Sequence, residues 1–190
     1  MEQIRLNEGE NMGLFSIFKI LWEEKKKAKK YAEMGFEELS VLSDDELLEA
    51  LTTRMIAEEG NMEVEECLQQ FKGAKRIFYV VNYFDMEVQN GGLCQFFVNS
   101  SRNVAPYILE CLNTIGASQY EKMLSEFVTE HGISMDNLDS FIIDDVDEFE
   151  EQTQRYPFDD FDDAYYELYE KEPLDRMLVN YAKNNLKDFV

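Results

Sequence analysis

From Val64 onward, apolar side chains return at steps of three or four residues: Val64, Cys67, Leu68, Phe71, Ala74, Phe78 and Val81, with Val88 following after one seven-residue interval. An α-helix turns about 100° per residue, so this spacing collects those side chains on one side, whereas a strand needs a period of two. The spacing predicts a long helix ending at Asn90-Gly91-Gly92. Its second half, Ile77 to Phe84, is apolar nearly all round, which marks a helix enclosed by others. The run IFYVVNYF would also suit a strand, but the helical spacing before it and the Asn-Gly stop after it favour helix. No stretch alternates convincingly with period two. The expected fold class is therefore all-α, a single compact multi-helix domain with a long central buried helix.

Local signals place the other elements. Ser43-Asp44-Asp45-Glu46 has capping-box spacing and predicts a helix from there to about Glu59. Short helices are expected from Leu93 to Asn99 and from Val104 to Ile115. Ser118-Gln119-Tyr120-Glu121 offers a second capping box, for a helix to about Glu130, with a break at His131-Gly132. Further helices are expected over Asp144 to Arg155, Asp159 to Lys171, and Pro173 to about Asp188. Residues 1–12 read as a polar tail and 13–60 as N-terminal helices that join residues 65–190 in one domain. No repeat or Pro/Gly/Ser linker divides the chain. The stretch from Leu14 to Met34 reads as an amphipathic helix ending in Lys25, Lys26, Lys27, Lys29 and Lys30. It is expected to pack on its own domain and turn its lysines to water or toward the chain's acidic segment.

A 190-residue chain can bury roughly 70% of its unfolded surface, enough for a core without disulfides or metal. Fourteen Phe and ten Tyr within 45% hydrophobic residues separate it from disordered acidic chains, which lack the aromatics to build a core. Cys67, Cys94 and Cys111 are odd in number, widely spaced and without a CxxC pair, so they read as reduced core thiols of a cytoplasmic protein. The apolar run Leu14 to Trp22 is too short for a bilayer, is interrupted by Lys19, and carries its positive charge after it. A net charge of −22 repels nucleic acid and anionic lipid alike, so neither direct nucleic-acid binding nor membrane association is expected. A charged partner should be basic.

The acid is concentrated. Between positions 136 and 170 stand 14 Asp and Glu, answered only by Arg155. On a helical wheel Asp159, Asp160, Asp162, Asp163, Glu167 and Glu170 fall within an arc of about 160°, opposite Phe158, Phe161, Ala164, Tyr165, Leu168 and Tyr169. In the preceding helix Asp144, Asp145, Asp147, Glu148, Glu150 and Glu151 surround a narrow stripe of Val146 and Phe149. Like charges at i,i+4 cost a few tenths of a kcal/mol each. Burying Phe158, Phe161, Tyr165 and Leu168 returns roughly 1.5 to 3 kcal/mol apiece, so aromatic anchoring lets an acidic face exist. These twelve carboxylates are the candidate partner-binding face; the plain alternative is a solvated surface.

No constellation spells out a reaction. Gln89, Gly92 and Cys94 do not have the spacing of papain-like proteases, and the chain holds one histidine, His131, to serve as base. Neither DDVDEFEE nor DDFDD contains the turn glycine of a calcium loop. Glu-x-x-His pairs and phosphate-binding glycine motifs are missing. The expectation is a non-enzyme with no metal and no cofactor.

The stretch YFDMEVQNGGLCQFFVNSS, from Tyr83 to Ser101, resembles a bacterial family, formerly of unknown function, that includes a DNA-mimic protein. Its marks are Asn90-Gly91-Gly92, Gln95, Phe96-Phe97, Asn99-Ser100 and the step Ile115-Gly116-Ala117. The later Phe158-Asp159, Phe161-Asp162 and Tyr165-Tyr166 pattern and the closing Tyr181 to Phe189 segment extend the likeness over about residues 65–190. The resemblance implies an all-α protein whose acidic surface occupies the DNA-binding face of a basic regulator, with carboxylates in the place of phosphates. Asn90, Gly91, Gly92, Gln95 and Asn99 read as fold-determining, the two amides satisfying backbone groups left open by a sharp turn. The alternative is a small-ligand binder or hydrolase with a pocket near Gln95, Asn99 and Tyr83, and a self-assembling scaffold is a third reading.

Overall fold

The computed structural model describes residues 25–190, so the predicted tail at 1–12, the Leu14 to Trp22 run and the start of the lysine-rich helix lie outside the described residues. The chain is helical over 25–33 (α1), then Phe36–Ser40 (α2), Asp44–Glu59 (α3), Val64–Gln70 (α4), Gly73–Val98 (α5), Ala105–Thr114 (α6), Ser118–Glu130 (α7), Val146–Thr153 (α8), Phe158–Lys171 (α9) and Leu174–Asn184 (α10). Short 3-10 turns cover Ser100–Val104, Asp139–Phe141 and Leu186–Phe189. No strand occurs among the described residues, and the fold is all-α.

α5 lies at the centre, packed against α6, α8, α9, α10 and two of the 3-10 turns. Phe78, Tyr79, Val80 and Val81 are consecutive and wholly buried, as a helix apolar all round requires. The buried side chains from Tyr31 to Phe189 join one cluster around it. Cys67, Cys94 and Cys111 are buried free thiols within that cluster; burial pushes Cys94 up to about 12 and Cys111 up to about 11. No helix among the described residues is long and apolar enough to cross a membrane.

Local sequence chemistry explains several helix ends. At α3 the Ser43 hydroxyl accepts from the Glu46 N–H while the Glu46 carboxylate accepts from the Ser43 N–H at 3.0 Å, the expected reciprocal box. The second box does not form. Ala117 is the N-cap of α7 and Ser118 already lies inside the helix. The cause is upstream: Ala117 N–H donates to Leu112 at 2.8 Å and Gly116 N–H to Asn113 at 3.0 Å, a Schellman ending of α6 that turns the chain into α7 one residue early.

The long helix predicted from Val64 to Asn90 is interrupted. Phe71 and Lys72 are extended, Gly73 has φ +56°, and a new helix starts there. Ala74 N–H donates to Asp188 Oδ2 at 3.0 Å, so a carboxylate 114 residues away satisfies the new helix start. A side chain on Gly73 would put Cβ 2.6 Å from that same oxygen. The C-terminal helix also divides, with Pro173 as N-cap of α10 and Leu186–Phe189 as a separate turn whose Leu186 and Phe189 are buried. At the other end of the chain α1 packs on its own domain through Tyr31 and Met34. Its Lys27 pairs with Glu49 of α3 and Lys29 with Glu33 in the same helix.

Candidate functional site

α8 and α9 present the acidic surface. On α9, Phe158, Phe161 and Tyr165 are buried and Leu168 and Tyr169 half-buried, while Asp159, Asp160, Asp163, Glu167 and Glu170 are exposed. The underside is a set of ring contacts. Phe158 meets Phe127 of α7 at 5.6 Å, Phe161 meets Phe127 at 5.3 Å, and Tyr165 lies 5.2 Å from Tyr120. Edge-on and offset ring pairs of this kind add to the area buried and fix orientation. Ala164, placed by the wheel among the inward residues, is exposed.

Asp162 departs from the predicted outward arc. Its Oδ1 accepts from Leu93 N–H at 2.8 Å, and its other oxygen would lie 2.0 Å from a Cβ on Gly92. Burial pushes its carboxyl above the usual range, while the Leu93 hydrogen bond opposes that shift. Asp162 therefore caps the start of the helical segment after the glycine pair. The neighbouring anchors are Tyr165, donating to Asp85 Oδ1 at 2.5 Å, and Tyr166, donating to the Val88 carbonyl at 2.9 Å. Burial raises Asp85 to about 6, with Asp175 adding like-charge repulsion and the Tyr165 hydrogen bond working the other way.

On α8, Asp144, Asp145, Asp147, Glu148, Glu150 and Glu151 are all exposed. Asp145 is the N-cap, accepting from Glu148 N–H at 3.0 Å, and the Glu148 carboxylate accepts from Asp144 N–H at 2.7 Å. Phe149 packs against the core only partly. The remaining attachment is polar. Buried Gln152 donates to the Ser140 carbonyl at 2.9 Å, and Arg155 donates to the same carbonyl and to Gln152 Oε1, each at 2.9 Å. Arg155 also lies 5.9 Å from the Phe141 ring centre and 5.8 Å from that of Tyr156. The one base within the acidic segment is thus engaged by a backbone carbonyl and an amide. Among the described residues, the sole ion pair on the twelve predicted face carboxylates is Glu167 with Lys171 at 3.9 Å.

The glycine pair forms the corner beside this surface. α5 is kinked here: Gly91 and Gly92 are not helical, and Gly92 has φ +79°, a conformation that favours glycine. The long central helix consequently turns at Asn90-Gly91-Gly92, as its sequence predicts. The two amides bind differently from expectation. Gln95 Nε2 and Asn99 Nδ2 donate to Glu87 Oε2 at 2.7 and 2.9 Å, and Ser101 Oγ donates to Glu87 Oε1 at 2.9 Å. A carboxylate offers several acceptor positions and makes stronger hydrogen bonds than a carbonyl, so Glu87 gathers side chains from beyond the corner onto the arm before it. Sequence reasoning passed over Glu87; its signal was an acid within the motif, one helical turn before the glycines.

A cavity of about 560 Å³ opens at this corner, lined by Tyr83, Met86, Glu87, Gln89, Asn90, Gln95 and Asn99. Of its four amides, those of Gln95 and Asn99 are engaged with Glu87, and Tyr83 donates its hydroxyl to Glu59. His131 ends α7 and packs between Phe127 and Tyr156, at 4.7 and 5.7 Å. Among the described residues no three His, Cys, Asp or Glu gather closely enough to hold a metal ion.

The family model for DMP19-like proteins, the DNA mimic protein 19-like family, matches residues 69–185. The chain belongs to this family. The match takes in the glycine corner, Asp162 and both acidic helices. No curated protein and no solved structure matches the chain. Membership of a DNA-mimic family points to binding of DNA-binding proteins in general, and to a role outside catalysis.

Proposed function

We propose that this protein is a non-enzymatic DNA mimic that presents the exposed carboxylates of α8 and α9 to the DNA-binding face of a basic protein, such as a transcriptional regulator. The observation that carries this reading is the exposure of eleven of the twelve predicted carboxylates along α8 and α9, with Arg155, between the two helices, bonded to the Ser140 carbonyl and Gln152 and to none of these acids. A partner's lysines and arginines then meet carboxylates where phosphates would stand, and counterions are released from both surfaces. Association competes directly with duplex DNA.

The test is a charge reversal confined to exposed positions. Replacing Asp159, Asp160 and Asp163 with lysine changes the surface charge by six units and leaves the Asp162 cap intact. A DNA-binding partner captured from the native host should lose most of its affinity for this variant, and wild-type binding should fall steeply with salt and be displaced by duplex DNA. Binding by the reversed variant that equals wild type and ignores salt overturns the proposal.

A further inference from the structure

A second cavity, of about 540 Å³, opens among α4, the start of α5, the Ser100–Val104 turn, α6 and the loop that ends at Asp139. Three bases line it: Lys72 at the α4–α5 junction, Arg76 on α5 and Arg102 on the 3-10 turn. Three acids line it too: Glu65 on α4 and Asp136 and Asp139 from the loop after α7. None of these six side chains forms an ion pair among the described residues. Elsewhere Lys27, Lys75, Lys122, Lys171, Arg176 and Lys183 each meet a carboxylate. This cavity is lined by charges of both signs that form no ion pair with one another.

Two of the bases are held in place by neutral groups. The Arg76 guanidinium lies 4.4 Å from the ring centre of Tyr107. Arg102 donates one nitrogen to the carbonyls of Val98 at 2.7 Å and Asn99 at 3.0 Å, leaving its other donors unspent. Positioning of this kind lowers the cost of ordering the side chains when a ligand arrives. A purely anionic ligand would face three carboxylates and the field of a −22 chain, and a purely cationic one would face three bases. A neutral molecule carrying both charges answers each set at once, and the volume suits a small ligand.

We propose that this cavity binds a small zwitterion of the amino-acid or short-peptide class, its carboxylate at Arg76, Arg102 and Lys72 and its ammonium at Asp136 and Asp139. The site shares no residue with the twelve carboxylates of the acidic face and does not rest on the DNA-mimic reading.

The experiment is an NMR titration of the full chain with three probes: triglycine, its N-acetylated form, which keeps only the carboxylate, and its C-terminal amide, which keeps only the ammonium. Triglycine should shift the backbone amides of Arg76, Asn103 and Asn137, and each capped form should bind at least about tenfold more weakly, the scale of one lost charged contact. Asp136→Asn, at an exposed position with no hydrogen bond among the described residues, should weaken triglycine and not weaken the acetylated form. Acetylated peptide binding as well as triglycine overturns the proposal in favour of a simple anion site. Amides unmoved by any of the three probes overturn it outright, as does triglycine affinity unaltered in both Asp136→Asn and Asp139→Asn.

Discussion

α8 and α9 carry charge of the same sign on neighbouring turns of chain, yet they are attached by different physics. α9 rests on Phe158, Phe161 and Tyr165, buried against rings from α5 and α7 and bolted by Tyr165 to Asp85. α8 is eight residues long, half-buries Phe149, and depends on hydrogen bonds from Gln152 and Arg155 to Ser140 and on the Asp145 cap. Apolar burial is worth kilocalories per side chain and is insensitive to charge on the far side, whereas each polar tether nets about 1 kcal/mol. A helix that must carry repelling carboxylates can be held in either way. The first gives a firm half of the surface and the second a more easily released one.

Phe158 is where the contrast is most open to disproof. Phe158→Ala should cost about 3–5 kcal/mol of global stability in urea unfolding, since the cavity left among Phe97, Phe127 and Phe141 has no small neighbour to fill it. A loss under about 1 kcal/mol would mean that α9 is not seated on these rings.

The next effect lies beneath α9, in Asp85. Its carboxyl is raised from 3.8 to about 6, so folding favours the protonated form. That contribution is fully present below the unfolded value of 3.8 and is lost as pH rises through about 6. Asp85→Asn keeps an acceptor for Tyr165 and removes the titration. It should therefore raise stability by about 2–3 kcal/mol at pH 7.5, with the gain falling to about 0.5 kcal/mol near pH 4. Urea midpoints of the two proteins at both pH values check it, and a gain independent of pH would contradict the assignment.

A smaller change probes how α8 is held. Asp145→Ala removes the N-cap and should cost about 1 kcal/mol. Because α8 is tethered locally, the loss should show first as faster amide exchange over 146–153, with α9 unaffected. Equal acceleration in both helices would make them one cooperative unit.

How far the sequence reached can be followed in single residues. Periodicity located the helices, and Ser43 with Glu46 named its own cap, because both partners lie within one turn. The outward carboxylates Asp159, Asp160 and Asp163 were legible from the wheel for the same reason. Asp162 was not. The wheel gives its angle on α9 but cannot say that Leu93 N–H lies across from it. Glu87 escaped notice because its three donors come from the far arm of a corner that only folding closes. Arg155, expected as the lone counter-charge of the segment, is committed to a carbonyl and a buried amide.

An all-α chain, the turn at Asn90-Gly91-Gly92 and a dense acidic segment underlaid by rings are all written in local residue order. The division of the predicted Val64 helix at Phe71–Lys72, and the choice of which aspartates serve the fold, belong to the folded molecule. Both have one physical cause. Gly73 and Gly92 leave room at a helix start for a carboxylate from far along the chain, Asp188 on Ala74 and Asp162 on Leu93. A cap 114 or 69 residues distant satisfies an N–H as well as a local one does, but it leaves no spacing in the sequence by which to find it.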